Sequence, residues 1–389
     1  MHIVHICLHF NTIIEYQELA LAREQLMTGH KVSVITSDWH PNFTNYDTIY
    51  KPILGERYVG TGIFFEEGIT IYRLKLLNVP SIFRRLKGAI EIIRSVNPDL
   101  VICHGFEVGL ILFQASKAKC KVIVDSHQMP LHIRGLNKTA RIKFIFNNYL
   151  SKVKGVYIQF HQRIECVGVT EDSVDYLFKS FCPKKRIHLF PLGADTKSFY
   201  SDRTLKNSMR RMLGFTERDV VLVFTGKIQE NKGVHLIIES MACLAKEGIT
   251  NLKLLIVGNG PLSYINEIND LIQAVGLKDK VVTIEFADKE TLNRYFNAAN
   301  IAVYPREVTI SHMEAMAVGL PIIIEDLPGI KHRIENKNGF AVKTQAELTE
   351  AIRLLCDDPT LLKKMGANSL KAINDHLDWR LINNKFLSL

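Results

Sequence analysis

The sequence predicts an α/β protein built as two tandem, doubly wound domains. Three observations carry this. Short apolar runs of strand length alternate with stretches of helical period, Gly and Pro/Gly turns separate them, and the whole alternation restarts near mid-chain. A strand, a helix and a second strand joined by short turns form the βαβ unit, and repeated units give a parallel sheet covered by helices. The length of 389 residues suits two domains better than one.

Each element follows from its residues. His2 to Leu8 is a short apolar run that reads as a buried strand. Tyr16, Leu19, Ala22 and Leu26 fall on one helix face, Gly29 stops that helix, and Lys31 to Thr36 is the next strand. The polar, Gly-containing region from Asp38 to Ile69 is a loop excursion or a hairpin. A helix from Ile82 to Val96 leads through Asn97-Pro98 into a strand from Asp99 to Cys103. Lys121 to Asp125 and Gly155 to Gln159 are further strands. The second half repeats the pattern. Its strands are Asp219 to Gly226, Leu252 to Gly260, Val281 to Phe286, Ile301 to Pro305 and Pro321 to Ile324. Its helices are Gly233 to Lys246, Lys289 to Ala298, Ser311 to Val318 and Trp379 to Leu389. The Pro/Gly turn at 190–195 marks the boundary. The expected organisation is two Rossmann-like domains over 1–190 and 191–377, with a terminal helix over 378–389.

Composition narrows the function classes. Apolar residues make up 47% and charged residues 23%, as in an ordinary globular protein. The seven cysteines (Cys7, Cys103, Cys120, Cys166, Cys182, Cys243 and Cys356) are scattered and form no Cys-x-x-Cys pair. That excludes a disulfide framework or zinc site and points to a reducing, cytoplasmic compartment. No targeting segment and no run of ~18–20 apolar residues is expected. Of the net charge of +9, residues 1–200 carry +8. It is densest in 127–164, where Arg134, Lys138, Arg141, Lys143, Lys152, Lys154 and Arg163 occur without an acid, interleaved with Ile142, Phe144, Ile145, Phe146, Tyr149 and Leu150. This segment reads either as a surface lying on an anionic membrane or as a packed helix with its cations in solvent. No nucleic-acid reader motif accompanies it, so nucleic acid is not an expected partner.

Ligands of such sheets bind beyond the carboxyl ends of the strands, and four turns there carry chemistry. Gly226-Lys227 and Lys232-Gly233 place two cations between a strand end and a helix start, suiting either a diphosphate or solvent. Gly258-Asn259-Gly260-Pro261 allows a close backbone approach, to a ligand or within a tight turn. In Thr309-Ile310-Ser311-His-Met-Glu314, free N–H groups could hold phosphate and Glu314 could accept from ribose hydroxyls. Alternatively, Ser311 and Glu314 form a capping box. His127, after a buried strand, is either a satisfied structural histidine or a substrate contact.

Together these segments resemble the family 4 glycosyltransferases of GT-B fold. The resemblance rests on Gly226-Lys227 with Lys232-Gly233, Gly258-Asn-Gly-Pro, Glu314-Ala-Met-Ala-Val-Gly-Leu-Pro, Leu192-Gly-Ala-Asp195 with Phe199, Tyr16-Gln-Glu with Gly29-His30-Lys-Val, and Asn338-Gly339-Phe. Their order and spacing make it specific. It implies a retaining, metal-independent hexosyltransferase that needs no cofactor and takes a UDP- or GDP-linked sugar as substrate. The acceptor would be a glycan or a polyprenyl-linked glycan, as in surface polysaccharide synthesis. The first domain would bind the acceptor and the second the donor, with the terminal helix returning to the first. Lys227 and Lys232 would hold and stabilise the leaving diphosphate. Gly226, Gly258, Asn259, Thr309, Ile310 and Ser311 would complete the phosphate cradle, Glu314 would hold the ribose, and His127 would sit near the transferred sugar. The enzyme would work in the cytoplasm, peripherally on the inner membrane face through 127–164.

Three departures bear on this. The family pattern is Glu, seven residues, Glu; Arg306 stands at the first position, with Glu307 beside it. The usual Gly-Gly of the first loop is replaced by Asn11-Thr-Ile-Ile. Lys227 in place of Arg keeps the charge and loses the bidentate fork. A sugar-nucleotide epimerase of the same fold and a non-catalytic glycosyltransferase-like subunit are the alternatives.

Overall fold

The computed structural model describes residues 1–14, 16–43, 46–77, 83–128, 138–285, 287–306 and 309–389. The chain divides into two compact units: Met1–Leu192 with Trp379–Leu389, and Gly193–Asp378.

Unit 1 is built on an eight-stranded sheet of β1 (His2–Ile6), β2 (Lys31–Ser37), β3 (Gly62–Glu66), β4 (Ile69–Leu74), β5 (Leu100–His104), β6 (Lys121–Ser126), β7 (Ile164–Gly168) and β8 (Ile187–Leu189). The order is β8-β7-β6-β5-β1-β2-β4-β3, parallel except for the β3–β4 hairpin at one edge. Both faces are covered. Val4, Ile6, Val101, Cys103, Val122 and Val124 pack against Ile93, Ile111 and Leu112 on one side. Val32, Val34, Ile69 and Ile71 pack with Leu19 and Ala22 of helix α1 (Gln17–Met27) on the other. That two-sided burial is why these strands are apolar throughout. The Asp38–Ile69 excursion contains β3, so the hairpin alternative holds.

Two expected elements differ. The helix expected from Ile82 begins later, as α2 (Ala89–Val96), because Arg85–Leu86 pairs instead with Leu76–Leu77 in a two-stranded ribbon; Ile82 lies outside the described residues. Gly155 to Gln159 is not a strand. It lies inside the 23-residue helix α3 (Lys138–Phe160), and the strand is β7, further on. Gly155 has a packing reason: a Cβ there would lie 1.7 Å from the Ser180 carbonyl oxygen at the end of helix α4 (Glu171–Lys179).

Unit 2 carries a wholly parallel six-stranded sheet of β9 (Val220–Thr225), β10 (Leu252–Val257), β11 (Val281–Ile284), β12 (Ile301–Tyr304), β13 (Ile322–Glu325) and β14 (Gly339–Val342), in the order β11-β10-β9-β12-β13-β14. The strand expected to reach Phe286 ends at Ile284. Helices α5 (Arg203–Met212), α6 (Val234–Lys246), α7 (Leu262–Ala274), α8 (Lys289–Ala298), α9 (Ser311–Ala317), α10 (Gln345–Asp357) and α11 (Pro359–Ala372) belong to this unit. The last helix, α12 (Trp379–Ser388), packs in unit 1, where Phe386 meets Phe190 edge to face at 5.3 Å.

Candidate functional site

In unit 2 the strand order reverses between β9 and β12, and a ligand crevice forms at such a switch point, beyond the carboxyl ends. Thr225 closes β9 and Tyr304 closes β12; their hydroxyls lie 2.9 Å apart, and the buried Tyr304 hydroxyl also donates to the Ser311 carbonyl at 3.3 Å. The loop after β9 and the entry to α9 are thereby tied to one point.

The glycines set how closely the loops stack. Gly226 has φ +136°. The Ile228 N–H donates to the Asn259 carbonyl at 2.9 Å. A Cβ on Gly258 would lie 1.7 Å from the Gly226 carbonyl oxygen, and one on Gly260 1.9 Å from that of Ile228. The close approach these two glycines allow is therefore made by the neighbouring protein loop. The Asn259 side chain accepts from the Gly260 N–H at 2.8 Å. Gly233 (φ +75°) precedes α6, and its Cα faces Pro305 and Arg306, where a Cβ would stand 3.0 and 3.2 Å from their side chains. Lys232 is thus drawn beside the β12 loop, and its charge is felt at His312.

Thr309, Ile310 and Ser311 lead into α9. Ile310, not Ser311, is the N-cap, and no side chain caps the helix. The capping box considered above does not form, because Ser311 already sits in the first turn and its hydroxyl bonds the Glu314 carboxyl. Burial pushes that carboxyl up to about 7, against the Ser311 hydroxyl and the Lys289 ammonium, which pull it down. Lys289 Nζ lies 3.2 Å from Asp195 Oδ2, and burial pushes the ammonium down to about 8. Gly226, Lys227, Lys232, Gly258, Asn259, Thr309, Ile310, Ser311 and Glu314 all belong to this one unit.

Several pairings here carry no sequence signal. Lys289 and Asp195 are 94 residues apart and meet only in the fold. Arg333, 2% exposed, donates to the Thr309 carbonyl at 2.8 Å and contacts His312 Nδ1 at 2.7 Å, yet it sits at the end of a short 3-10 helix (Pro328–Arg333) that no periodic pattern announces. Arg306 is exposed; Glu307 lies outside the described residues.

His127 belongs to unit 1, directly after β6. Its Nε2 stands 3.7 Å from Asp125 Oδ1. Asp125 is fully buried; Oδ2 accepts from His104 Nδ1 at 2.5 Å, and Oδ1 from the Gly105 N–H at 2.8 Å. His104 Nε2 reaches His5 Nδ1 at 2.9 Å, and His5 Nε2 reaches Gln25 Oε1 at 2.7 Å. Parallel pairing of β5 with β6 sets His104 beside Asp125. The Asp125 anion raises the His104 pKa against burial, and the His104 cation lowers that of Asp125. His127 is the half-exposed end of this buried row.

Two sequence profiles match side by side: one described as Glycosyltransferase Family 4 over residues 15–198, the other as Glycosyl transferases group 1 over 206–372. The chain belongs to the family 4 glycosyltransferases. It is 29% identical over 198 residues to an α-D-kanosaminyltransferase of Streptomyces kanamyceticus, covering 49% of this chain and 50% of the relative. It is 21% identical over 378 residues to an uncharacterised glycosyltransferase of Methanocaldococcus jannaschii, covering 92% and 89%. In structure, it superposes on Anabaena HepE in complex with UDP at a TM-score of 0.71 with 15% identity, covering 100% of this chain and 99% of the other. Structures like it are GT-B glycosyltransferases with two Rossmann-like domains, so the α/β class and the tandem architecture hold for this glycosyltransferase.

Proposed function

We propose that this glycosyltransferase moves a hexosyl group from a UDP- or GDP-linked donor to a glycan or polyprenyl-linked glycan, with retention and without a metal. The carrying observation is the gathering of Gly226-Lys227, Lys232 and 309–314 at the β9/β12 switch point of a family 4 chain. Lys227 and Lys232 bind the donor diphosphate, the N–H groups and hydroxyls of 309–311 complete the phosphate cradle, and Glu314 accepts from the ribose hydroxyls. The acceptor hydroxyl attacks the anomeric carbon from the leaving group's face. The glycosidic bond to phosphate breaks as the new one forms, and the hydroxyl proton passes to the departing phosphate oxygen. The lysines stabilise the charge gathering there, work that a metal does elsewhere. His127 is assigned to the acceptor unit, where its ring is half-exposed beside Asp125. UDP as the first nucleotide to try is supported by the UDP complex of HepE.

Membrane contact is supported by α3, through apolar residues interleaved with its cations. No described helix is long and apolar enough to cross a membrane. Ile142, Ile145, Phe146, Tyr149, Val153, Val156 and Phe160 are all exposed and lie on one helical stripe, whereas Lys154 turns inward and donates to the Phe106 carbonyl at 2.6 Å. An apolar stripe with Lys152 beside it suits the interface of an anionic bilayer on the inner membrane face, where a polyprenyl-linked acceptor resides.

The test of transfer is turnover. Nucleotide-sugar and a lipid-linked or free glycan acceptor are incubated with the purified chain in EDTA. The product should keep the donor's anomeric configuration by NMR. An inverted product would sink the retaining assignment, and loss of turnover in EDTA would sink metal independence.

A further inference from the structure

The cations around Arg333 are not explained by packing. Arg333 is buried, its Nε has no partner, and no carboxylate among the described residues pairs with it. Among the described residues its acceptors are the Thr309 carbonyl and His312 Nδ1. Because Arg333 can only donate, His312 must accept at Nδ1 and carry its proton on Nε2. That Nε2 is also buried and without a partner. Burial, with the Arg333 and Lys232 cations beside it, holds His312 well below its ordinary range. Burial also pushes the guanidinium down to about 9. An uncompensated buried charge is expensive, and substituting an apolar side chain would ordinarily stabilise the fold. A pin for the Thr309 carbonyl needs one neutral donor, not a cation.

We propose that Arg333 is the diphosphate-selecting positioning residue of the donor site: it fixes the 309–311 loop through the Thr309 carbonyl, and its charge is compensated when the donor's diphosphate docks against that loop. This rests on the donor-site reading above. Arg333 acts through the loop and through space, so it contributes to the pyrophosphate part of the donor and not to the nucleoside.

The test compares UDP with uridine (and GDP with guanosine) by calorimetry on the full chain. R333Q keeps a donor for Thr309 and loses the charge; R333M loses both; R333K keeps the charge. In whichever neutral variant folds, the preference for diphosphate over nucleoside should fall by roughly tenfold or more, as expected for losing a charge-assisted interaction. Nucleoside affinity should stay within about twofold of wild type, and R333K should keep most of the preference. The ligand-free neutral variant should melt no lower than wild type. A wild-type preference in R333Q or R333M, or equal loss of nucleoside and diphosphate, would overturn the role of Arg333. Wild-type binding of nucleoside diphosphate reports separately on the donor site itself.

Discussion

Burial drives the Glu314 carboxyl up to about 7 although Ser311 and Lys289 both favour its ionised form. The sign follows directly. The folded pKa lies above the ordinary 4.5, so the charged form is penalised on folding: the cost is absent below about 4.5 and fully present above about 7. E314Q should therefore melt higher than wild type at pH 8, with the difference fading towards pH 4.5. The same variant should bind UDP at least ~10-fold more weakly, the value of a charge-assisted hydrogen bond. Melting E314Q at both pH values with and without nucleotide checks both halves. The His104–Asp125 pair behaves oppositely. The raised His104 stabilises fully below its ordinary 6.5 and less as pH rises through its folded value; the lowered Asp125 stabilises fully above its ordinary 3.8 and less as pH falls. This is one interaction seen from two ends, complete between those values. D125N should cost about 3 kcal/mol at pH 5.5 by urea unfolding, as for breaking a buried ion pair, and less at pH 9. Residues such as Glu314 and Lys227 could be picked out because they follow strands at recognisable spacings. Arg333, His312 and Lys289 could not, because what distinguishes them is burial and partners supplied from distant elements.

Helix α3 shows where reading by element fails. Val156, Tyr157 and Ile158 favour strands, and Gly155 disfavours helix interiors. What decides the helix is tertiary: Gly155 lets α3 press on the Ser180 carbonyl, and Ile158 and Lys154 are buried on the same side. The central strands were legible because burial on both faces makes them continuously apolar, whereas the edge strand β8 is only three residues long and was not. The residues of 127–164 suggested either a basic amphipathic surface or a packed helix; the structure turns Lys154 inward and leaves Ile142, Ile145, Phe146 and Tyr149 of the apolar side exposed. Replacing Ile145 and Tyr149 by Asp should leave the fold intact, since both are already exposed, and should strongly reduce flotation with vesicles containing anionic lipid. Unchanged flotation would remove α3 from membrane contact. At the stacked loops of unit 2, G258A should destabilise markedly, because its Cβ would meet the Gly226 carbonyl at 1.7 Å and the backbone is at φ +154°. A wild-type melt for G258A would show that the loops can part.

At the scale of the whole chain, the alternation of strands and helices made the α/β tandem visible early. The family's motifs recur in order on two profiles that together span most of the sequence. Arg306, in place of the first family Glu, is exposed on the β12 loop against which Gly233 packs. It leaves the nucleotide end of the proposed site complete and alters the end that would face the sugar. The claim on which everything else depends is that unit 2 binds a nucleoside diphosphate at Lys227, Lys232, 309–311 and Glu314. The most direct measurement is thermal unfolding of the purified chain with UDP, GDP, CDP and ADP. One nucleotide, at ~100 times its dissociation constant, should stabilise the chain by roughly 2.7 kcal/mol, and the response should vanish in K227A/K232A and in E314A. A chain whose melting none of the four nucleotides moves, or variants that respond like wild type, would contradict the account.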